Sequence, residues 1–384
     1  MTEEFAEIGH CGGQFYVTIK TGDDGSHAYS TGYRISNGNP ASMVSVAVNS
    51  EGAPLGIVDL SWAPDANANG PVENPSFIQL LLASDRTGLF GHECPNCTNY
   101  WRTDGFTSRW KTVCPYCGIR AASIHFLTNG HRHFLKAFTE HVHEALNEPE
   151  DGEYIIDMDE VVKSVQAGKE APLFYHADEA QQNQFNCVRC RTYNDILGRY
   201  GYCSSCGYRN NLSIIEADLD NLKRRIAENE VTPTEAIKLA VSALDAGGVN
   251  YIKQLCNLVP MTDRRRNSAG RLKFHNLEKF DTELSAVFDI SVTKKFSDED
   301  RTFLKKMFLR RHVYEHCGGV VDADYLSKSE DQTVKNGQEI RESKESAFRF
   351  IGLVNKLAKN LDDGFHEIIS LNEEALEILS PSSP

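Results

Sequence analysis

Residues Ser297–Gly319 read SDEDRTFLKKMFLRRHVYEHCGG, and this stretch predicts one complete helix with a marked start and a marked end. Ser297 followed by three acidic residues is typical of an N-cap and a first helical turn. Apolar residues at i, i+3 and i+4 spacing from Phe303 onward predict one buried face. Gly318 and Gly319 supply the left-handed backbone that ends a helix. The stretch predicts a helical domain with charged side chains gathered at the end of this helix.

Arg311 and His316 are the candidate catalytic side chains at that helix end. Residues five apart on a helix differ by about 140° in direction and roughly 7.5 Å in height. They meet one ligand only across the helix end, or where a second subunit completes the site. A guanidinium suits phosphate, and an imidazole moves protons near neutral pH. The pair is sufficient for metal-free RNA cleavage in which the RNA's own 2′-hydroxyl attacks, leaving 2′,3′-cyclic phosphate ends.

Two neighbouring residues are assigned supporting roles. We expect His312 to orient the site and Arg310 to share the binding of the phosphate. The simpler alternative is that all of these are solvated surface charges. His312 and His316 also have the i, i+4 spacing of a metal-binding pair, although no third ligand is evident nearby.

The pattern Arg311-x4-His316, followed by Gly318-Gly319 and the acidic, aromatic segment Val320–Leu326, resembles the R-x4-6-H signature of HEPN (higher eukaryotes and prokaryotes nucleotide-binding) domains. The resemblance implies a helical bundle that forms a homodimer and builds a composite ribonuclease site from both subunits, in some cases within a cellular defence or toxin system. Many active members carry Asn after the motif His, where this chain has Cys317. Some relatives only bind RNA or act as scaffolds, so a non-catalytic role stays open.

Eight of the eleven cysteines form four C-x-x-C pairs, which fall into two sets of two pairs. Sixteen residues separate the two pairs of the first set, and twelve separate the two pairs of the second. Two such knuckles brought together by a hairpin supply four thiolates at tetrahedral geometry, so each set predicts a structural zinc ribbon. Redox pairs and iron–sulfur clusters are the alternatives. Cys11, Cys256 and Cys317 are expected to be reduced thiols. The predicted zinc ligands are Cys94, Cys97, Cys114 and Cys117 in the first ribbon, and Cys187, Cys190, Cys203 and Cys206 in the second.

Charge and aromatic residues indicate where nucleic acid would bind. The net charge is −14, so any contact with RNA must use local basic patches. One patch is the acid-free run Arg264–Lys273 and another is Arg301–Arg311; both also fit solvated helix faces. Aromatic and basic residues of the first hairpin are expected to form its core, although they also suit base stacking. The second hairpin, richer in Tyr and Arg, is a possible nucleic-acid or protein-binding face.

Composition and termini limit the class of protein. The chain has 384 residues, with 40% hydrophobic and 24% charged residues, which suits several globular units. The acidic start Met1–Glu4 lacks the basic region of a signal peptide, and the longest apolar run, around Phe77–Ala83, is too short to cross a bilayer. We therefore expect a cytoplasmic protein that does not insert into membranes.

Five histidines between His125 and His143 are expected to be solvated or packed.

The predicted fold class is a multidomain α+β chain with a β-rich start, two four-cysteine zinc ribbons and a C-terminal HEPN-like α-helical bundle. The leading function is a metal-independent homodimeric endoribonuclease acting on RNA. The alternatives are a non-catalytic nucleic-acid- or protein-binding module, with a partner on the ribbons or the N-terminal domain, and a zinc-ribbon transcriptional regulator. The predicted boundaries are a β-rich unit at 1–90, the first ribbon with a helix at 91–147, a connecting segment at 148–184, the second ribbon at 185–212, the helical bundle at 213–375 and a disordered tail at 376–384.

Overall fold

The computed structural model describes residues 6–9, 12–35, 39–47, 77–107, 109–166 and 182–379. Contacts within the chain divide it into two units. The ribbon unit comprises residues 1–207 together with 372–384, and the helical unit comprises residues 208–371. The fold is mixed, with small antiparallel sheets and ten α-helices among the described residues. None of the described helices combines the length and the apolar character needed to cross a membrane.

The strands all belong to the ribbon unit and form four antiparallel sheets among the described residues. The sheet orders are β2-β1-β9, β3-β4, β7-β8 and β10-β11-β6-β5. The strands are β1 (Gly13–Thr21), β2 (His27–Ile35), β3 (Ala41–Ala47), β4 (Phe77–Ala83), β5 (Phe90–Glu93), β6 (Tyr100–Thr103), β7 (Thr112–Val113), β8 (Arg120–Ala121), β9 (Gly152–Asp157), β10 (Gln182–Asn186) and β11 (Tyr193–Leu197).

The N-terminal strands share a core with elements far along the chain. β1 pairs with β2 on one side and with β9 on the other, and alternate β1 side chains such as Phe15 and Val17 are buried. They pack against helices α1 (Asn129–Leu146) and α2 (Met158–Gln166). The spacing of Phe134, Leu135, Phe138 and Val142 predicts an amphipathic helix here, and α1 confirms it by burying these side chains. The segment 148–184, expected to be a connection, contributes β9 and α2.

The short apolar runs near the N-terminus mostly form strands. The run Phe15–Ile19 lies in β1, and the run from Met43 lies in β3 up to Ala47. The segment Phe77–Ala83, predicted as either a strand or a short helix, is strand β4. The predicted strand Gly56–Leu60 lies outside the described residues.

The helical unit is built on three packed helices, α3, α4 and α9. Helix α7 contacts α4, α6, α8 and α9, so the stretch that carries the candidate motif lies within this assembly. The helices of the unit are α3 (Asn211–Ala227), α4 (Pro233–Leu258), α5 (Asp263–Ala269), α6 (Leu277–Phe288), α7 (Asp298–His316), α8 (Ala323–Ser329) and α9 (Lys344–Ile368), and a last helix α10 (Glu373–Leu379) belongs to the ribbon unit.

Two consecutive glycines at 247 and 248 predict a break in a helix, because glycine is a poor helix former. The structure instead places Gly247-Gly248 inside the continuous helix α4. Both glycines are buried, and a Cβ atom at either one would collide with a neighbouring side chain: Ile215 at the first and Phe274 at the second. The prediction of a break is therefore wrong. The pair is explained by close packing, which outweighs the poor helix propensity of glycine.

Candidate functional site

Helix α7 begins and ends as its sequence predicts. The Ser297 hydroxyl accepts a hydrogen bond from the backbone N–H of Asp300, which caps the first turn. At the other end Gly318 and Gly319 have φ values of 59° and 84°, and the Gly319 N–H donates to the Val313 carbonyl at 3.2 Å. This backbone geometry turns the chain away just beyond His316 and leaves that side chain at the helix end.

One side of the helix end is fixed by a buried ion network around Arg310. Its Nη2 lies 2.6 Å from the Asp331 Oδ2 atom and its Nη1 lies 2.8 Å from the Glu342 Oε1 atom. The Nε atom donates to the Tyr325 hydroxyl, and Tyr314 donates to Glu342 at 2.6 Å. All three guanidinium nitrogens thus bond within the fold. This geometry favours a structural role for Arg310 over the predicted contact with a phosphate.

The Asp331 carboxylate remains charged in this network. Burial acts to raise its pKa, but hydrogen bonds from Thr333, Tyr325 and Arg310 together hold the pKa well below its usual range. A permanently charged Asp331 keeps the segment after α7 attached to the helix. Two backbone hydrogen bonds also hold this segment: the Val321 N–H donates to the Gln338 carbonyl, and the Gly337 N–H donates to the Val321 carbonyl.

The other side of the helix end presents Arg311, His312 and His316. Both histidines are exposed, and their ring centroids lie 4.5 Å apart. The Arg311 side chain is 17% exposed, and its nearest carboxylate, that of Glu315, lies 4.0 Å away. Within the described part of the chain the buried Arg311 Nε atom has no hydrogen-bond partner. The structure therefore brings the His312 and His316 rings together on the surface, with the largely buried Arg311 guanidinium close enough to His312 to affect its charge.

The environment of the histidines sets their charge. Partial burial is the largest cause that lowers the pKa of His312, and the nearby His316 and Arg311 lower it further. A neutral His312 can accept a proton or a hydrogen bond at neutral pH. Cys317, which follows the motif His, lies with its Sγ atom 3.6 Å from the Asp322 Oδ2 atom. Its thiol pKa is raised by burial and by this carboxylate, so the thiol stays protonated.

The sulfur atoms at the two predicted zinc sites are arranged as tetrahedral zinc coordination requires. The four Sγ atoms of each set lie within 4.8 Å of one another. The closest pairs are 3.7 Å apart in the first set, and the Cys187–Cys206 pair is 3.6 Å apart in the second. Four thiolates about 2.3 Å from a central zinc ion would be separated by about 3.8 Å. The donor set and its spacing thus fit two tetrahedral structural zinc ions.

The four knuckles share one backbone conformation. In each, the residue after the second cysteine has positive φ, and its N–H donates to the carbonyl of the first cysteine. The second knuckle of each ribbon uses glycine here, as predicted, at Gly118 and Gly207. In the first knuckles this position is Thr98 or Arg191, and both adopt the left-handed conformation that is unfavourable for residues other than glycine. The repeated turn aims each pair of sulfurs at one point.

The zinc ligands are supported by further contacts. The Asn194 amide donates to the Cys203 sulfur at 3.7 Å, and the Arg189 N–H donates to the Cys187 sulfur at 3.4 Å. Burial raises the pKa of the Cys203 thiol well above its ordinary value, so an unbound thiolate there would be costly. A bound cation removes that cost, and the amide donors then orient the ligands.

The two ribbons are joined in one sheet, which the sequence did not predict. β6 of the first ribbon pairs with β11 of the second, with Arg102 opposite Asp195. The fully buried Trp101 lies in the core of this sheet, in agreement with the expected core role of the first hairpin. Tyr202 and Tyr208, expected at a possible binding face, are also buried.

A cavity of about 740 Å³ opens beside the ribbons. It is lined in part by Phe106 and Trp110 and by the basic residues Arg109 and Arg191. Aromatic and cationic side chains in one cavity suit a ligand with a flat ring and an anionic group. This cavity is the described feature of the ribbon unit that best fits the alternative of a binding module.

The buried ionisable groups of the ribbon unit include His131, which was expected to be solvated or packed, and also His92 and Glu7, for which the sequence made no prediction. Burial lowers the pKa of His92 and of His131 to about 3, and raises the pKa of Glu7 to about 7. Both ring nitrogens of His131 lack a partner within the described residues, and the ring packs edge-on against Phe106. The only signal in the sequence was the position of His131 on the apolar face of α1, one turn before Phe134 and Leu135.

No family model matches the chain, and no curated protein and no solved structure is significantly similar to it.

Proposed function

We propose that this protein is a metal-independent endoribonuclease of the HEPN type, acting as a homodimer through its helical unit. The observation that carries the proposal is the exposed cluster at the end of α7, where the His312 and His316 rings lie 4.5 Å apart beside Arg311. A guanidinium and an imidazole on one accessible face are the groups that cleavage by the 2′-hydroxyl requires.

The roles follow from the chemistry of each group. Arg311 binds the scissile phosphate and stabilises the charge that develops on it, because its guanidinium is permanently cationic. His316 moves the proton at the 2′-hydroxyl or at the leaving oxygen. His312, with its lowered pKa, is neutral at physiological pH and orients the reacting group as a hydrogen-bond partner. The zinc ions of the ribbons stabilise the fold and take no part in the reaction.

The buried network behind the cluster supports this division of roles. Arg310 is held by Asp331 and Glu342 on one side of the helix end, whereas the Glu315 carboxylate lies 4.0 Å from Arg311, whose side chain is 17% exposed. A rigid support is what a site needs to hold its groups within hydrogen-bond reach of a substrate. Arg310 therefore acts as a positioning residue in this proposal.

The direct test compares cleavage of a labelled RNA pool by the wild type, His316→Ala, and the double variant Arg311→Ala/His316→Ala. The wild type should cut with and without a chelator, while both variants should be inactive with unchanged zinc content and dimerisation. Cleavage that persists in the double variant would refute the assignment. Arg341→Ala serves as a matched control, because its side chain is 84% exposed and its one ion pair, with Glu339, is on the surface.

A second candidate, a non-catalytic binding module, is favoured by the cavity beside the ribbons. In this case the helical unit would only dimerise, and a nucleic acid or a protein would bind at Phe106, Trp110 and the neighbouring arginines. Trp110→Ala would then weaken binding, whereas His316→Ala would leave it unchanged. The nuclease candidate also expects His316→Ala to bind RNA, so cleavage separates the two: weakened binding by Trp110→Ala together with no cleavage by the wild type favours the binding module, whereas cleavage by the wild type rejects it.

A further inference from the structure

A basic surface lies on helices α5 and α6 of an otherwise acidic chain. The whole protein carries a net charge of −14, yet residues 264–277 contain five basic residues and no Asp or Glu. Arg264, Arg265, Arg271 and Lys273 of this run are exposed. Concentrating positive charge against the sign of the whole molecule indicates a local anionic ligand. We call Arg264, Arg265, Arg271, Lys273 and Lys279 of α6 the α5–α6 basic surface.

The basic side chains of this run differ in whether they already bind partners within the fold. Arg266 is engaged: its Nη1 lies 3.1 Å from the Asp263 Oδ1 atom, and its Nε donates to the Cys256 carbonyl at 3.0 Å. Across the described ranges no carboxylate comes within ion-pair distance of Arg264 or Arg271. Arg266 thus attaches α5 to the fold, while its neighbours keep their donors for a ligand.

The same surface contains a hollow of about 410 Å³. Its cationic lining consists of Arg264, Arg271 and Lys279, and its carboxylate, Glu283, lies 4.0 Å from the Lys279 ammonium. Asn267 adds an amide donor. Three cations and a neutral donor around one hollow match the oxygens of a phosphate group.

The chemistry of the surface selects nucleic acid over protein as the partner. Among the described residues of α5, α6 and their connection, no large hydrophobic side chain is exposed. Protein interfaces have an aromatic or apolar centre, whereas nucleic-acid interfaces are polar and strongly positive. The surface also adjoins the helix of the candidate site, because Glu278 of α6 and Lys305 of α7 form an ion pair at 2.9 Å.

We infer that the α5–α6 basic surface binds the phosphodiester backbone of single-stranded RNA. The identity of the ligand as RNA rests on the proposed function, since this surface would hold the strand that Arg311 and His316 cut. Backbone contacts carry no base information, so the surface contributes affinity and register while the helix end performs the reaction.

The test measures binding of a fluorescent single-stranded RNA of about 20 nucleotides as a function of salt, a length that exceeds the site sizes of such grooves. All proteins carry His316→Ala, so that the RNA stays intact. Arg264→Glu/Arg271→Glu is compared with Lys223→Glu/Lys359→Glu, which makes the same charge change on α3 and α9 of the same unit. Thermal melting verifies that both pairs fold.

The expected result is at least a tenfold loss of affinity for the first pair and a small loss for the second. The slope of log affinity against log salt should also fall by about 0.7 for each phosphate contact removed. Equal losses in both pairs, unchanged binding in the first pair, or no RNA binding by the His316→Ala parent would overturn the inference. A surface-dependent loss of binding without cleavage by the wild type would instead retain the surface and reject the nuclease.

Discussion

Arg102 of β6 and Asp195 of β11 form a buried ion pair, with the Nη2 and Oδ2 atoms 2.6 Å apart. The two strands are neighbours in the sheet that joins the ribbons, and Nη1 of the same guanidinium reaches the Asp85 Oδ2 atom at 3.1 Å. Burial is the largest influence on Asp195 and raises its pKa, although Arg102 acts to lower it. Arg102 of the first ribbon thus forms ion pairs with Asp195 of the second ribbon and with Asp85 in the turn before β5.

Removal of Asp195 should destabilise the ribbon unit strongly. In Asp195→Ala the buried Arg102 loses its closest carboxylate, and breaking a buried pair in this way costs about 3–5 kcal/mol. Urea unfolding followed by the fluorescence of the buried Trp101 measures the loss. Glu153→Ala is the control, because its pair with Arg34 at 2.7 Å is well exposed and should contribute less than about 1 kcal/mol. Equal costs in the two variants would argue against the joining role of Asp195.

Each four-cysteine group should hold one zinc ion of its own. Cys117→Ser and Cys206→Ser should each reduce the zinc content, measured by atomic emission, from two ions per chain to one. Because the ribbons share a sheet, loss of either ion should also lower the melting temperature of the ribbon unit. Cys256→Ser, outside both groups, should leave the zinc content unchanged. A wild type without zinc, or with unaltered content in the ligand variants, would contradict the assignment.

His131 should make the ribbon unit sensitive to acid. Its folded pKa is about 3 against an ordinary 6.5, so the unfolded chain binds one more proton between these values. The stability penalty is absent above pH 6.5 and grows as the pH falls toward 3. His131→Phe removes this penalty and should stabilise the protein at pH 5 by about 2 kcal/mol more than at pH 7.5. Melting curves at the two pH values provide the comparison, and an equal effect at both would show that His131 is not buried in its neutral form.

Two glycine substitutions should have opposite signs. Gly352 lies on the exposed face of α9 with open space around it, so Gly352→Ala should stabilise the helical unit by up to about 1 kcal/mol. Gly247→Ala places a methyl group against Ile215 and should destabilise it by about 1–3 kcal/mol. Chemical denaturation of the two variants tests the packing explanation, which fails if both are stabilising.

The elements that the sequence predicted well are those set by local chemistry. The cysteine spacing specified both four-cysteine groups, and the Ser297 cap and Gly318-Gly319 specified the two ends of α7. Contacts between distant segments were not predictable, because β1–β9 and β6–β11 pairing joins residues that no local pattern relates. The prediction of a helix break at Gly247-Gly248 was wrong for the same reason, since the side chains that pack against these glycines lie outside helix α4.

The candidate site was predicted in part. Arg311 and His316 were chosen by spacing, and their catalytic roles stay a prediction; the structure places the His312 and His316 rings 4.5 Å apart and leaves 17% of the Arg311 side chain exposed. Arg310 was not distinguished from Arg311, although it lies one turn before the buried Tyr314 and thus on the apolar side of the helix. Its acidic partners, Asp331 and Glu342, come from a segment of irregular structure whose position a single sequence does not indicate.

In the proposed reaction the end of α7 cuts RNA with the help of the RNA's own 2′-hydroxyl. The most direct measurement incubates wild-type and His316→Ala protein, in the presence of chelator, with a labelled RNA and with the same RNA carrying a 2′-deoxy nucleotide at the cut position. We expect that only the wild type cuts, that the products end in 2′,3′-cyclic phosphate, and that the deoxy position is resistant. Cleavage at the deoxy position, or cleavage by His316→Ala, would contradict it.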